Sequence, residues 1–207
     1  MGCQSSTNVA PALHACRRVI FLATTHFAVA LGENASVGTT PKRDAIFETA
    51  VAAGLGPVKE GRFLLPGNDR RPADVLVPNW TGGKDAAMDV KVTTPIKVTM
   101  MPGAANTAGF ALDHAHKGKL DGAEEACRRQ GLAFLPLVAE TFGGWHPSVQ
   151  REVKKLGSAL ARHTGQDEAE AVSRLWGRLG ILLQPGNAAI LGNRVPALPD
   201  PQIDEIT

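Results

Sequence analysis

The feature that most limits the folds open to this chain is a double change of hydrophobic period between residues 86 and 140. Residues 86–93 alternate, with Met88, Val90 and Val92 pointing one way and Asp89, Lys91 and Thr93 the other, the period-two pattern of a half-buried strand. From 106 to 130 the period is helical. Leu112, Ala115, Leu120, Ala123 and Cys127 mark an apolar stripe, and Gly131 stops it. Residues 132–140 read as a strand again. The helical passage is long enough for a right-handed crossover, which places the last strand parallel to the one before it.

Upstream, residues 73–77 alternate as well: Ala73, Val75 and Val77 on one face, Asp74 and Leu76 on the other. Pro78 is expected to end this strand, and NWTGGKD to carry the chain back. A further strand is expected at 62–65. Before it, residues 42–53 form a helix opened by Pro41, with Ile46, Phe47, Ala50 and Val51 on one side, and Gly54 and Gly56 stop it. Two more helices are expected at 147–163 and 167–183. The sum is an α/β domain over 42–183, with a mixed central sheet of about four strands in the order helix, three strands, helix, strand, flanked by helices. Residues 1–41 read as an appendage and 184–207 as a loose tail.

A chain of 207 residues with 43% hydrophobic and 20% charged residues can bury a core and is not expected to be disordered. Its net charge of +2 points to no partner, so any nucleic-acid surface has to be local. Basic residues cluster at 59–71, 117–129 and 151–178, where a solvated helix face is the reading preferred over phosphate binding. Three cysteines, Cys3, Cys16 and Cys127, give neither a disulfide framework nor a zinc knuckle and fit a reducing intracellular setting, nucleus or cytoplasm. His114 and His116 diverge on their helix and are read as surface or packing residues. MGCQSS matches an N-myristoylation pattern, with Cys3 free for a second acyl chain, but so short a pattern arises readily by chance. VIFLATTHFAVAL is too short to span a bilayer, and no stable membrane association is expected.

On an antiparallel pair, a residue near the end of one strand faces one near the start of the next, so Asp74 and Asp89 can come within reach of one cation. Two carboxylates are hard oxygen donors of the kind Mg²⁺ uses, with water and a phosphate completing its shell. Lys91 shares their face, where an amine can assist an attacking water or offset charge at phosphorus. Glu48, on the preceding helix, is the candidate third carboxylate, positioning the water. The competing reading is a plain hairpin whose polar residues face solvent.

The element order, with P-A-D at residues 72–74 and D-V-K at 89–91, resembles the PD-(D/E)xK (restriction-endonuclease-like) superfamily. More specifically, RDAIFETAVAAGL, RPADVLVPNWTGGKDAAMDVKV and GLAFLPLVAETFGGW resemble the endonuclease-like segment downstream of the polymerase in some retrotransposon open reading frames. The likeness covers residues 43–183. It implies Mg²⁺- or Mn²⁺-dependent cleavage of DNA, with Asp74 and Asp89 as metal ligands, Lys91 as the catalytic lysine, and Lys117 or Lys119 as alternative lysines from the following helix. A homodimer would allow both strands to be cut. The alternative is an inactive domain of the same fold that binds nucleic acid or serves assembly. In ETFGGW, Glu140 is a candidate outer ligand, while Gly143, Gly144 and Trp145 read as a turn and a packing anchor.

Overall fold

In the computed structural model, residues 35–59, 73–184 and 187–188 are described. The elements are α1 (Ala35–Ala52), β1 (Val58–Lys59), β2 (Val75–Thr81), β3 (Lys84–Thr93), α2 (Met101–Ala104), α3 (Phe110–Arg129), β4 (Ala133–Glu140), α4 (Pro147–Thr164) and α5 (Glu168–Ile181). One four-stranded sheet runs in the order β1-β2-β3-β4. The first two pairings are antiparallel, and β3 and β4 are parallel from Ala86↔Ala133 to Thr93↔Glu140. The fold is α/β with a mixed sheet. Twenty residues of α3 rise about 30 Å, enough to return the chain alongside β4, whose eight residues extend about 26 Å.

Period-two alternation sorts the side chains into two layers. Val75, Val77, Ala86, Met88, Val90 and Leu137 pack against Ala45, Ile46 and Ala50 of α1, Val149, Val153 and Leu156 of α4, and Leu175 and Leu179 of α5. The opposite face is covered by α3 in two separate patches. Ala73, Leu76, Ala87 and Phe134 meet Leu120, Ala123 and Cys127, while Val138 meets Leu112 and Ala115. Between these patches the odd positions of β3 after Ala87 are Asp89 and Lys91, so charge occupies the gap in the apolar cover.

Several local expectations are corrected. Pro78 does not end β2, which continues to Thr81 through an irregularity between the pairs Val77↔Ala86 and Thr81↔Lys84. Proline has no N–H for the ladder, so the register shifts there, with Asn79 in the left-handed region at φ 50° and its N–H donating to Asp85 Oδ1 at 2.9 Å. The extension is held by Trp80, buried against α4, whose indole N–H donates to Glu152 Oε2 at 2.7 Å and whose ring carries the Lys155 ammonium 4.2 Å from its centroid.

Ala73 packs with Leu76 rather than with Val75, because the chain bends at Asp74 before the strand begins. Helix α1 starts at Ala35, so it crosses the expected boundary at residue 41 and contains Pro41. The first described strand is Val58–Lys59, and the strand expected at 62–65 lies outside the described residues. Helix α3 begins at Phe110, after Gly109 at φ 79°, rather than at 106. From the tail, Asn187 packs back, its side-chain amide donating to the carbonyl of Thr141.

Candidate active site on the α3 face

Asp74 stands at the bend that precedes β2. Its N–H donates to the Met88 carbonyl at 2.9 Å, and its Oδ2 accepts from the Val90 N–H at 2.8 Å. The carboxylate thus takes the place of a neighbouring strand, satisfying a β3 amide just past the end of the pairing with β2. Burial pushes the Asp74 carboxyl above its ordinary pKa. The Val90 N–H opposes this, the charge of Asp89 adds to it, and Lys119 and Arg43 pull it down. These influences place Asp74, Asp89, Lys119 and Arg43 within one electrostatic neighbourhood.

Asp89 lies in register with Pro136 of β4, and its side chain is 14% exposed. Lys119, from the middle of α3, brings its ammonium to 2.5 Å from Asp89 Oδ2. That oxygen is shielded from solvent and accepts no directional hydrogen bond from the described residues. The two facts fit together if the contact is read as ionic: the ammonium is close enough for strong attraction but approaches off the hydrogen-bonding direction. Lys91 shares the same face of β3 and is half-buried. Its amine is pushed below its ordinary pKa by burial first, then by Lys119 and Lys97, against the attraction of Asp89.

The structure therefore brings Asp74, Asp89, Lys91 and Lys119 together and leaves other candidates elsewhere. Lys117, two residues before Lys119, is exposed. Glu48 pairs with Arg178 of α5 on the exposed surface and is not among the charges acting on Asp74. From α1, Arg43 favours the charge on Asp74 only as the weakest of the influences on that carboxyl, and its Nε donates to Asp44 Oδ1 at 3.0 Å. Five residues separate Arg43 from Glu48, about 140° around a helix, so the two cannot serve one site. Glu140 lies on the same sheet face as Asp89 but four residues along β4 from Pro136, about 13 Å away. Its carboxyl is pushed up by burial alone. It stands beside Gly144 and takes no part in the cluster around Asp89. Trp145 packs against the main core as expected and meets Trp176 edge to face, with ring centroids 5.7 Å apart.

A second polar cluster escaped sequence reasoning. His116 stacks on His146 with centroids 3.8 Å apart and planes 9° from parallel. His146 Nδ1 lies 2.7 Å from Ser148 Oγ, its Nε2 lies 3.4 Å from Asp113 Oδ1, and Ser148 Oγ is 3.3 Å from His116 Nε2. Only tertiary packing brings α3 to the start of α4. Locally, His146 is the N-cap of α4 and accepts from the Ser148 N–H.

Asp74 and Asp89 suit a divalent cation by their donor chemistry. Both are hard oxygen ligands, and one buried oxygen of Asp89 has no hydrogen-bond donor among the described residues. Lys119 is the competing cation at that oxygen. Among the described residues, no three His, Cys, Asp or Glu side chains gather as a metal group. Solvent and phosphate oxygens would complete the shell. No described helix is long and apolar enough to cross a membrane. Gly2, Cys3 and Cys16 lie outside the described residues, and Cys127 is buried on the sheet-facing side of α3. Comparison of the chain with protein-family models, with curated proteins and with solved structures finds no match.

Proposed function

We propose that the chain is a metal-dependent phosphodiesterase of the PD-(D/E)xK kind, related to retroelement endonuclease segments and acting on DNA. The observation that carries the reading is the convergence of Asp74, at the bend before β2, and Asp89, on β3, with the amines of Lys91 and Lys119. Asp74 and Asp89 would hold Mg²⁺ or Mn²⁺, which when bound supplies Lewis-acid polarisation of a phosphoryl oxygen. Lys91, on the same face as Asp89, would assist the attacking water, whose oxygen forms the new phosphorus–oxygen bond while the bond to the leaving strand oxygen breaks and that oxygen takes up a proton from solvent. Lys119 then offsets the charge growing on the phosphoryl oxygens.

A second reading has its own observation. Lys119 already neutralises Asp89, which favours an inactive domain of the same fold that binds nucleic acid without cutting it. Nicking of supercoiled plasmid in Mg²⁺ or Mn²⁺ separates the two. The hydrolase reading expects nicking by the parent chain, and its loss with retained DNA affinity in Asp74→Ala and Asp89→Ala. A parent chain that binds DNA but nicks it under neither metal would leave the inactive reading standing.

A further inference from the structure

On the opposite side of the sheet from Asp74 and Asp89, a cavity of about 520 Å³ opens between α4, α5 and the loop after β4. Its wall comes from two helices at helical spacing: Gln150 and Lys154 are one turn apart on α4, and Val172 and Trp176 one turn apart on α5. Gly143 and Trp145 close it from the loop. The bridge Ala139↔Trp145 and the edge-to-face contact of Trp145 with Trp176 hold the two indoles in place. The volume falls within the ~300–1,000 Å³ typical of small-molecule sites.

The chemistry of the lining is specific. Two indoles offer a surface for a flat ring, the Gln150 amide both donates and accepts, and the Lys154 ammonium sits at an exposed position. The other cations of this region with carboxylate partners are Arg174, paired with Glu170, and Arg178, paired with Glu48. Lys154 has no carboxylate partner among the described residues. A flat heterocycle with a hydrogen-bonding edge and an attached anion matches every one of these groups.

We infer that this cavity is a nucleotide site, taking a base stacked against the Trp145–Trp176 pair, the base edge at Gln150, and the phosphate at Lys154. Base–aromatic stacking and a lysine–phosphate contact are the two interactions by which strands are held without sequence preference. Either a free mononucleotide or the end of a DNA strand presents this chemistry. The site is independent of phosphodiester cleavage.

The test is titration of the full chain in EDTA, followed by tryptophan fluorescence, with AMP, adenosine, inorganic phosphate and 5′-phosphorylated dT₈ as separate probes. AMP is expected to quench saturably, and Lys154→Glu, at an exposed position, to weaken AMP about tenfold while leaving adenosine unchanged. Trp145→Phe should weaken both. Quenching by dT₈ with the same dependence on Lys154 identifies a strand end as a ligand, and its absence beside AMP binding identifies a free nucleotide. Asp74→Ala should bind all probes as the parent does, which separates this site from cleavage. No saturable quenching by AMP, equal affinity for inorganic phosphate and AMP, or AMP binding indifferent to Lys154→Glu would each overturn the inference.

Discussion

Lys119 Nζ lies 2.5 Å from Asp89 Oδ2, joining α3 to the middle of β3 at the gap between the two apolar patches of that face. Asp89 is the more shielded partner, and Asp74 adds a second negative charge nearby. The ammonium therefore neutralises Asp89 in a partly desolvated place and, at longer range, favours the charge on Asp74. Lys119→Met should lower stability by about 1–2 kcal/mol, between the values for exposed and buried pairs. The urea midpoint at constant slope reads this loss. The same variant should respond to Mn²⁺ with a larger rise in Tm than the parent, since the competing cation is gone. Absence of any Mn²⁺ response in both proteins would count against Asp74 and Asp89 as ligands.

Lys42 on α1 is 1% exposed and donates to the Leu182 carbonyl at 2.9 Å, capping the end of α5. Burial lowers its pKa from 10.5 to about 8. Between these values the unfolded chain holds a proton that the folded chain has released, so stability rises with pH across the window, by about 1.4 kcal/mol per pH unit. Below about pH 8 both states are protonated and the contribution is flat. Denaturation of the parent and of Lys42→Met from pH 7 to 10.5 should show their difference changing in this sense. Taking the difference removes the opposing effect of Cys127, whose thiol is pushed up by burial and by Asp89.

His116 is pushed below its ordinary pKa of 6.5 by burial and by stacked His146, against the attraction of Asp113 and Glu124. As pH falls below 6.5, the unfolded chain takes up a proton before the folded one does, so the stability held at neutral pH is lost on acidification. The Tm of the parent should fall more between pH 7.5 and 5.5 than that of His116→Gln. Equal falls in the two proteins would place the acid sensitivity elsewhere. Asp74 and Glu140, whose carboxyls are raised, act in the opposite sense and cancel in the comparison.

Glycines on two helices should respond to alanine with opposite signs. At Gly157 a Cβ would sit 2.6 Å from Val172 Cγ2 and 2.9 Å from its Cα, and backbone does not yield as a side-chain tip does. Overpacking there outweighs the gain in helix propensity, so Gly157→Ala should destabilise by about 1–2 kcal/mol. At Gly118 and Gly122 on α3 nothing lies within 4 Å, and alanine should stabilise by up to about 1 kcal/mol each. Chemical denaturation of the three variants checks both signs.

Much of this arrangement was legible in local pattern. The alternation of Ala86, Met88 and Val90 with Ala87, Asp89 and Lys91 set the two faces of β3. The helical stripe after it implied the parallel return of β4. Asp89 and Lys91 fell on one face for the same reason, whereas Asp74 stands at a bend before β2 where the alternation breaks. Local rules failed where a distant partner outweighed them: Pro78 reads as a strand end, but burial of Trp80 against α4 carries the strand past it. Glu48 reads as an acid available to the site, but α1 turns it toward Arg178.

The sequence by itself determined the α/β class, the crossover and the face on which Asp89 and Lys91 stand, because hydrophobic period is a short-range property that each segment carries alone. Tertiary structure decided that Lys119 rather than Lys117 meets Asp89, that Glu48 turns to Arg178, that His116 stacks on His146, and that two tryptophans line a cavity with Lys154. Each of these depends on how far one helix slides and turns against another element, which is set by packing of the whole core and by no spacing within a single segment.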